Sequence, residues 1–175
     1  MMEPRTRDRG DSPAAPEAPG TRWFDRRPLV ALAPMEAVTN RPYRLIVRRL
    51  APEVILYTEF TNASGLIRGG ERVWKMVEFT DEERPIIVQL YDHDIDALGE
   101  ATREVVRRLR PDGVDLNMGC PVRKVVRRGA GCGMMADPEH AARCVARMVE
   151  EADGVPVTIK TRLGIADKRE VIELA

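Results

Sequence analysis

Five short apolar runs, each ending in polar side chains, leave this chain few folds to choose from. They span residues 29–33, 54–57, 85–90, 113–116 and 156–160. Between them lie stretches with helical spacing of apolar residues. Short buried strands alternating with amphipathic helices imply a parallel sheet, because parallel strands need a crossover to connect them. Thr39 or Asn40 caps the first helix, with Pro42 near its opening turn. Asp94 or Asp96 opens a second that reaches Leu109, and Asp137-Pro138-Glu139 opens a third that runs to about Ala152. Residues 63–75 read as a short helix and loop, 76–79 as a short extended piece, and Asp167 as the start of a last helix.

Such a sheet is either doubly wound or part of a barrel. A dinucleotide fold wants G-x-G-x-x-G after its first strand, and here Ala33-Pro34-Met35-Glu36 follows instead. Polar residues recur at every strand end: Met35-Glu36, Glu59, Gln89, Asn117 to Cys120, and Lys160 to Arg162. A (β/α)8 TIM barrel builds its site in that way, from several strands at once. A whole barrel takes ~250 residues, whereas about 150 follow residue 27 here. The expected fold is therefore α/β, an incomplete TIM barrel of about five β/α units over 28–175. It reads as the N-terminal part of a longer protein. Residues 1–27, rich in Pro, Ala, Asp and Arg, bury little and read as a disordered tail.

The most pointed chemistry follows the fourth strand, in Asn117-Met118-Gly119-Cys120-Pro121. Gly119 permits backbone angles that a Cβ forbids, and Pro121 fixes φ and offers no N–H. Together they hold the Cys120 thiol at the strand's carboxyl end, beside the Asn117 amide. A cysteine there is either a small buried hydrophobe or a proton donor or nucleophile. A basic run, Arg123, Lys124, Arg127 and Arg128, comes next and closes in Gly129-Ala130-Gly131. Such a run is either a solvated face or a surface for a polyanion.

Lys+Arg and Asp+Glu balance at 28 each, so net charge alone announces no nucleic-acid partner; the distribution says more, with residues 123–128 locally basic and 78–83 acidic. Three cysteines without a C-x-x-C pair argue against a disulfide framework and a zinc site, and for a reducing compartment. No apolar run approaches the ~18 residues of a membrane span. The arginines near the N-terminus precede no apolar core of the signal-peptide kind. A cytoplasmic protein without metal is expected.

A series of motifs, in order, resembles the tRNA-dihydrouridine synthase family. It comprises Ala33-Pro34-Met35, Val38-Thr39-Asn40-Arg41-Pro42-Tyr43-Arg44, Tyr57-Thr58-Glu59-Phe60, Val88-Gln89-Leu90 and Asn117 to Pro121. Lys124-Val125-Val126, Gly129-Ala130-Gly131 and residues 156–164 complete it, so the resemblance covers essentially 29–164. It implies an FMN-dependent barrel that uses NADPH, or NADH, to reduce uridine in tRNA to 5,6-dihydrouridine. Cys120 then matches the general acid. Pro34, Met35 and Glu36 match the loop against the flavin, Gln89 a flavin-edge contact, and Lys160 a flavin-contacting lysine, with Arg162 a weaker candidate. On the residues alone Gln89 is a satisfied core amide, and a strand-end lysine can simply snorkel to solvent.

Asn117 matches a residue beside the target uridine, and Lys124, Arg127 and Arg128 are candidates for tRNA phosphates. Asp92, Asn40 and Cys132 depart from the family's commoner residues. The family's later histidine, its Gly-Arg phosphate turn and its helical C-terminal domain are expected beyond residue 175. This chain alone is therefore expected to hold FMN weakly, and the full-length protein to be a monomer. The alternatives are an FMN barrel acting on a free pyrimidine and a non-catalytic RNA-binding piece.

Overall fold

In the computed structural model, residues 23–25 and 27–174 are described. Their main elements, in chain order, are α1 (Arg41–Leu50), β1 (Leu56–Tyr57), β2 (Thr61–Asn62), α2 (Ala63–Arg68), α3 (Glu71–Trp74) and β3 (Ile86–Tyr91). Then come α4 (Ile95–Leu109), β4 (Gly113–Met118), α5 (Arg123–Val126), α6 (Pro138–Glu151), β5 (Val157–Thr161) and α7 (Glu170–Leu174). The helices start where short polar side chains satisfy their first free N–H groups. Asn40 accepts from the Tyr43 amide, Asp94 from Ala97 and Asp137 from His140, at 3.2, 3.0 and 2.9 Å. Thr39, the other candidate cap for α1, instead closes the preceding loop onto Met35.

Every strand pairing is parallel. Both β1 and β2 lie on the same edge of β3, against its start and its end respectively. From Tyr57 to Thr61 the chain takes four steps while its partner takes three, from Ile87 to Leu90. One extra residue is a bulge, a device that re-aims side chains near functional sites. Across the sheet, strand positions follow sequence order: a bridge from Ala31 to Ile55, then β1 with β2, β3, β4 and β5. A doubly wound sheet would reverse direction at a switch point. The sequential order is that of a partial (β/α)8 barrel.

The strands' period of two sorts their side chains onto two faces. Val88, Leu90, Val114, Leu116 and Met118 point outward and are buried against Leu98, Ala101 and Val105 of α4 and Ala141, Cys144 and Met148 of α6. The intervening residues Gln89, Asp115 and Asn117 point inward, and they too are buried.

Two expectations are corrected. The run 29–33 contributes a single bridge, because Leu29 and Val30 remain exposed and only the 30–32 backbone pairs with Ile55. Residues 76–79 are not extended: Met76, Val77 and Glu78 continue the turn after α3 with bonds back to Val73 and Trp74. Most of the tail expected over 1–27 lies outside the described residues. Within that span, Trp23–Asp25 form a 3-10 turn whose indole N–H donates to the Asp112 carbonyl at 2.7 Å.

Candidate active site

The carboxyl ends of the strands gather most of the residues singled out from the sequence. On the first loop Pro34 and Met35 are half-buried and Glu36 is exposed. The loop is held in shape by Thr39, whose amide and hydroxyl both donate to the Met35 carbonyl at 3.0 Å. Ala37, in the left-handed region at φ 59°, donates its amide to Glu59 at 2.5 Å. Glu59 leaves the bulge after β1, so its carboxylate ties the first strand end to the second.

Below the loop, Arg44 of α1 is buried and donates to Glu83 at 2.6 Å, to the Thr39 carbonyl at 2.8 Å and to the Glu78 carbonyl at 2.9 Å. Glu83 also accepts from the Thr80 amide. A buried guanidinium with this many acceptors is a rigid anchor. It fixes the Thr39 end of the first loop.

The inner face of β3, β4 and β5 carries a continuous polar network. Gln89 pairs across the sheet with Asp115, and Asp115 with Thr158. Gln89 Nε2 donates to Asp115 Oδ2 at 2.6 Å, and Thr158 Oγ1 donates to Asp115 Oδ1 at 2.6 Å. Asn117, one inward position further along β4, donates from Nδ2 to Gln89 Oε1 at 3.0 Å. Its Oδ1 accepts from the amides of Gly119 and Cys120, at 3.1 and 3.0 Å.

Burial pushes the Asp115 carboxyl up to about 7, against the pull of bonds from Thr158 and Gln89 and of the Lys160 charge. Burial also pushes the neighbouring Tyr57 phenol up to about 12, with the Asp115 charge adding to it. Lys160 itself is exposed on β5, paired in register with Asn117, and Arg162 is exposed just beyond.

Cys120 is half-buried, whereas Cys132 and Cys144 are buried. Its carbonyl accepts from the Cys132 amide at 3.0 Å, which folds the segment after α5 back onto the thiol turn. That approach needs Gly131, at φ 59°, where an added Cβ would sit 2.6 Å from the Cys120 carbonyl oxygen. The basic run is a short helix, α5, followed by a turn, with Arg123, Lys124, Arg127 and Arg128 all exposed.

Tyr91, at the end of β3, is where these groups meet. Burial raises its phenol pKa, the charges of Glu36, Asp92 and Cys120 add to the rise, and Arg128 opposes it. Arg128 also lines a cleft of about 290 Å³ with Asn62, Ser64, Gly65, Arg68 and Asp92. Burial disfavours the Asp92 carboxylate, but bonds from Ser64, His93 and Asp94 outweigh it and hold its pKa below the ordinary range.

The structure therefore brings Glu36, Asn117, Cys120 and Arg128 to one end of the sheet, with Gln89 and Lys160 on its inner face. Pro34 and Met35 are half-buried, and Lys160 and Arg162 are exposed. Gln89 is fully buried, with one N–H and one lone pair beyond its bonds to Asp115 and Asn117. Lys160 thus adds a cation to the inner face that carries the Gln89 and Asn117 amides. Asp115 was not singled out from the sequence. Its signal was there: a carboxylate two residues before Asn117, hence on the same inward face of a buried strand.

No helix among the described residues is long and apolar enough to cross a membrane. Among them, no cluster of three His, Cys, Asp or Glu side chains is placed to hold a metal ion.

Comparison with known proteins gives a consistent result. A family model described as dihydrouridine synthase matches residues 31–175. The chain is 37% identical over 147 residues to a probable tRNA-dihydrouridine synthase 1 of Synechocystis sp., covering 83% of this chain and 41% of that protein. It is 38% identical over 144 residues to a probable tRNA-dihydrouridine synthase of Aquifex aeolicus, covering 81% and 45%. A Staphylococcus epidermidis relative of the same description is 36% identical over 143 residues, with 81% and 43% covered. The chain thus spans about two fifths of the length of the curated relatives it matches.

Proposed function

The chain belongs to the dihydrouridine synthase family, and from that premise we propose that the full-length protein reduces uridine in tRNA to 5,6-dihydrouridine. FMN is its cofactor and NADPH, or NADH, its reductant. The observation that carries this reading is the hydrogen-bonded turn that holds a half-buried cysteine at the strand ends, between the Asn117 amide and an exposed basic run. The alternative acting on a free pyrimidine has no use for four exposed cations beside the thiol.

A bound flavin would supply the hydride chemistry of the reduction. The chain's own residues do the rest. Cys120 Sγ gives its proton to C5, which completes addition of one hydride and one proton across the C5–C6 double bond, and the thiolate regains a proton from solvent. A proton donor fixed in place is worth about 10²–10⁴ in rate. Asn117 stands beside the uracil and positions the Cys120 turn. Lys160 supplies positive charge against a reduced ring, with Arg162 near it, and the 34–36 loop packs on the ring. Gln89 offers its remaining N–H and lone pair to the ring edge. Lys124, Arg127 and Arg128 meet phosphates, which position a nucleic acid without reading its sequence. The remaining strands and a helical domain of the full-length protein complete the barrel and the grip on tRNA. The protein acts as a monomer in the cytoplasm.

The test incubates the flavin-loaded, full-length protein with NADPH and unmodified tRNA, and weighs the digested nucleosides. The expected product is a uridine heavier by two hydrogens. Reduction of free uracil without change in tRNA would overturn the reading in favour of a small-molecule enzyme. RNA binding with no reduction of either would leave a binding protein.

A further inference from the structure

The direction of each hydrogen bond between Asp115 and the Cys120 turn is forced from the two ends of that chain. At one end, the Gly119 and Cys120 amides can only donate, so Asn117 must turn its Oδ1 to them. The planar amide then presents Nδ2 to Gln89, which must answer with Oε1. Gln89 in turn presents Nε2 at its far side, where only an acceptor satisfies it, and Asp115 is that acceptor at 2.6 Å.

An amide alone has two nearly isosteric orientations. The chain from Asp115 to the Cys120 turn has one, because reversing any link sets donor against donor. We propose that Asp115 is a positioning residue that fixes the turn bearing Cys120 through Gln89 and Asn117. This rests on the function proposed above, since it assigns a task to Asp115 in that same site.

Thr158 completes the device. Its hydroxyl donates to the second Asp115 oxygen at 2.6 Å, and a hydroxyl accepts as readily as it donates. A proton arriving on Asp115 is therefore accommodated on the oxygen facing Thr158, and the oxygen facing Gln89 remains an acceptor. The other groups against Asp115 are the Tyr57 phenol of β1 and the Lys160 ammonium of β5. Neither lies on the route to Cys120.

The test compares the full-length protein with Asp115→Asn, whose amide oxygen still accepts from Gln89, and Asp115→Leu, which offers no acceptor. The readout is the rate of Cys120 alkylation by iodoacetamide, followed on the peptide that contains it, alongside kcat and KM for tRNA. Loss of the terminal acceptor leaves the buried Gln89 Nε2 unpaired and loosens the side chains that back the turn, so Asp115→Leu is expected to change the alkylation rate by about tenfold, and Asp115→Asn by less than about threefold. The same order is expected in kcat, with KM for tRNA unchanged, because the phosphate-facing residues are untouched.

If Asp115→Leu does not accumulate folded, Asp115→Val, a better strand residue, carries the same expectation. Failure of both apolar variants to fold would make Asp115 a stability residue and overturn the proposal. Folded apolar variants with wild-type alkylation and kcat would overturn it too, as would Asp115→Asn behaving like Asp115→Leu. A wild-type protein that reduces no tRNA would instead sink the functional reading, and alkylation would still report on the turn.

Discussion

Adjacent residues of β4 live in opposite worlds. Val114, Leu116 and Met118 pack outward among the aliphatic side chains of α4 and α6, whereas Asp115 and Asn117 turn inward to a network of amides, a carboxylate and a hydroxyl. Both faces are buried, so burial does not tell them apart; chemistry does. The outward face contributes area removed from water, about 25 cal/mol per Å². The inward face carries a carboxylate and two amides out of water and recovers the cost only through complete hydrogen bonding. The outer face makes the strand stay, and the inner face decides what its end can do.

The largest expected effect lies at the end of the inner face. Cys120→Ala is expected to lower the rate of dihydrouridine formation by about 10²–10⁴-fold, with the denaturation midpoint unchanged. A midpoint that drops along with the rate would move Cys120 to the structural side of the comparison.

Next comes the buried carboxylate. Asp115 titrates at about 7 in the folded chain, against an ordinary aspartate value near 3.9. A folded value above the unfolded one means that the native state binds the proton more tightly. Its contribution is fully present below about pH 4 and is lost as pH rises through about 7. From pH 5 to pH 8 the wild type should therefore lose on the order of 2–4 kcal/mol relative to Asp115→Asn. The Tyr57, Lys160, Gln89 and Thr158 groups around the site are common to both proteins. Urea titrations at the two pH values measure this, and parallel pH profiles would contradict it.

A smaller effect sharpens the role of the glycines. Gly131→Ala places a Cβ in the left-handed region against the Cys120 carbonyl oxygen, and should cost at least the ~1–2 kcal/mol of that conformation alone. It should also alter Cys120 alkylation. Gly70→Ala, where an added Cβ meets nothing within 4 Å and φ is negative, should leave both readouts near wild type.

The smallest effect belongs to the rim. Lys124→Ala and Arg127→Ala should each weaken tRNA binding uniformly across sequences and lower the salt slope by about 1, measured by filter binding across ionic strength. An unchanged slope would return that cation to the solvated surface.

Much of the outer face was legible because aliphatic periodicity is a local signal. The runs that became β3, β4 and β5, and the caps at Asp94 and Asp137, emerged within a residue or two of their place. The run 29–33 has the same composition, yet only its 30–32 backbone pairs, since strand formation depends on a neighbour that composition does not report. The inner face was legible only at its ends. Asn117 and Cys120 announced themselves through a turn, and the resemblance pointed to Gln89 and Lys160. Asp115 was hidden within a buried strand because its partners are 26 and 43 residues away. The Arg44–Glu83 anchor beneath the first loop, 39 residues apart, was hidden for the same reason.

One pair of neighbours puts the division of labour to its most direct test. Leu116→Ala and Asn117→Ala, side by side on β4, can be compared in unfolding free energy and in kcat per folded molecule of full-length protein. The account predicts that Leu116→Ala loses about 2–5 kcal/mol and keeps kcat. It predicts that Asn117→Ala, which strips a partner from the buried Gln89 carbonyl, loses about 1–3 kcal/mol while kcat per folded molecule falls at least about tenfold. A Leu116→Ala protein impaired in kcat per folded molecule, or an Asn117→Ala protein with wild-type turnover, would contradict it.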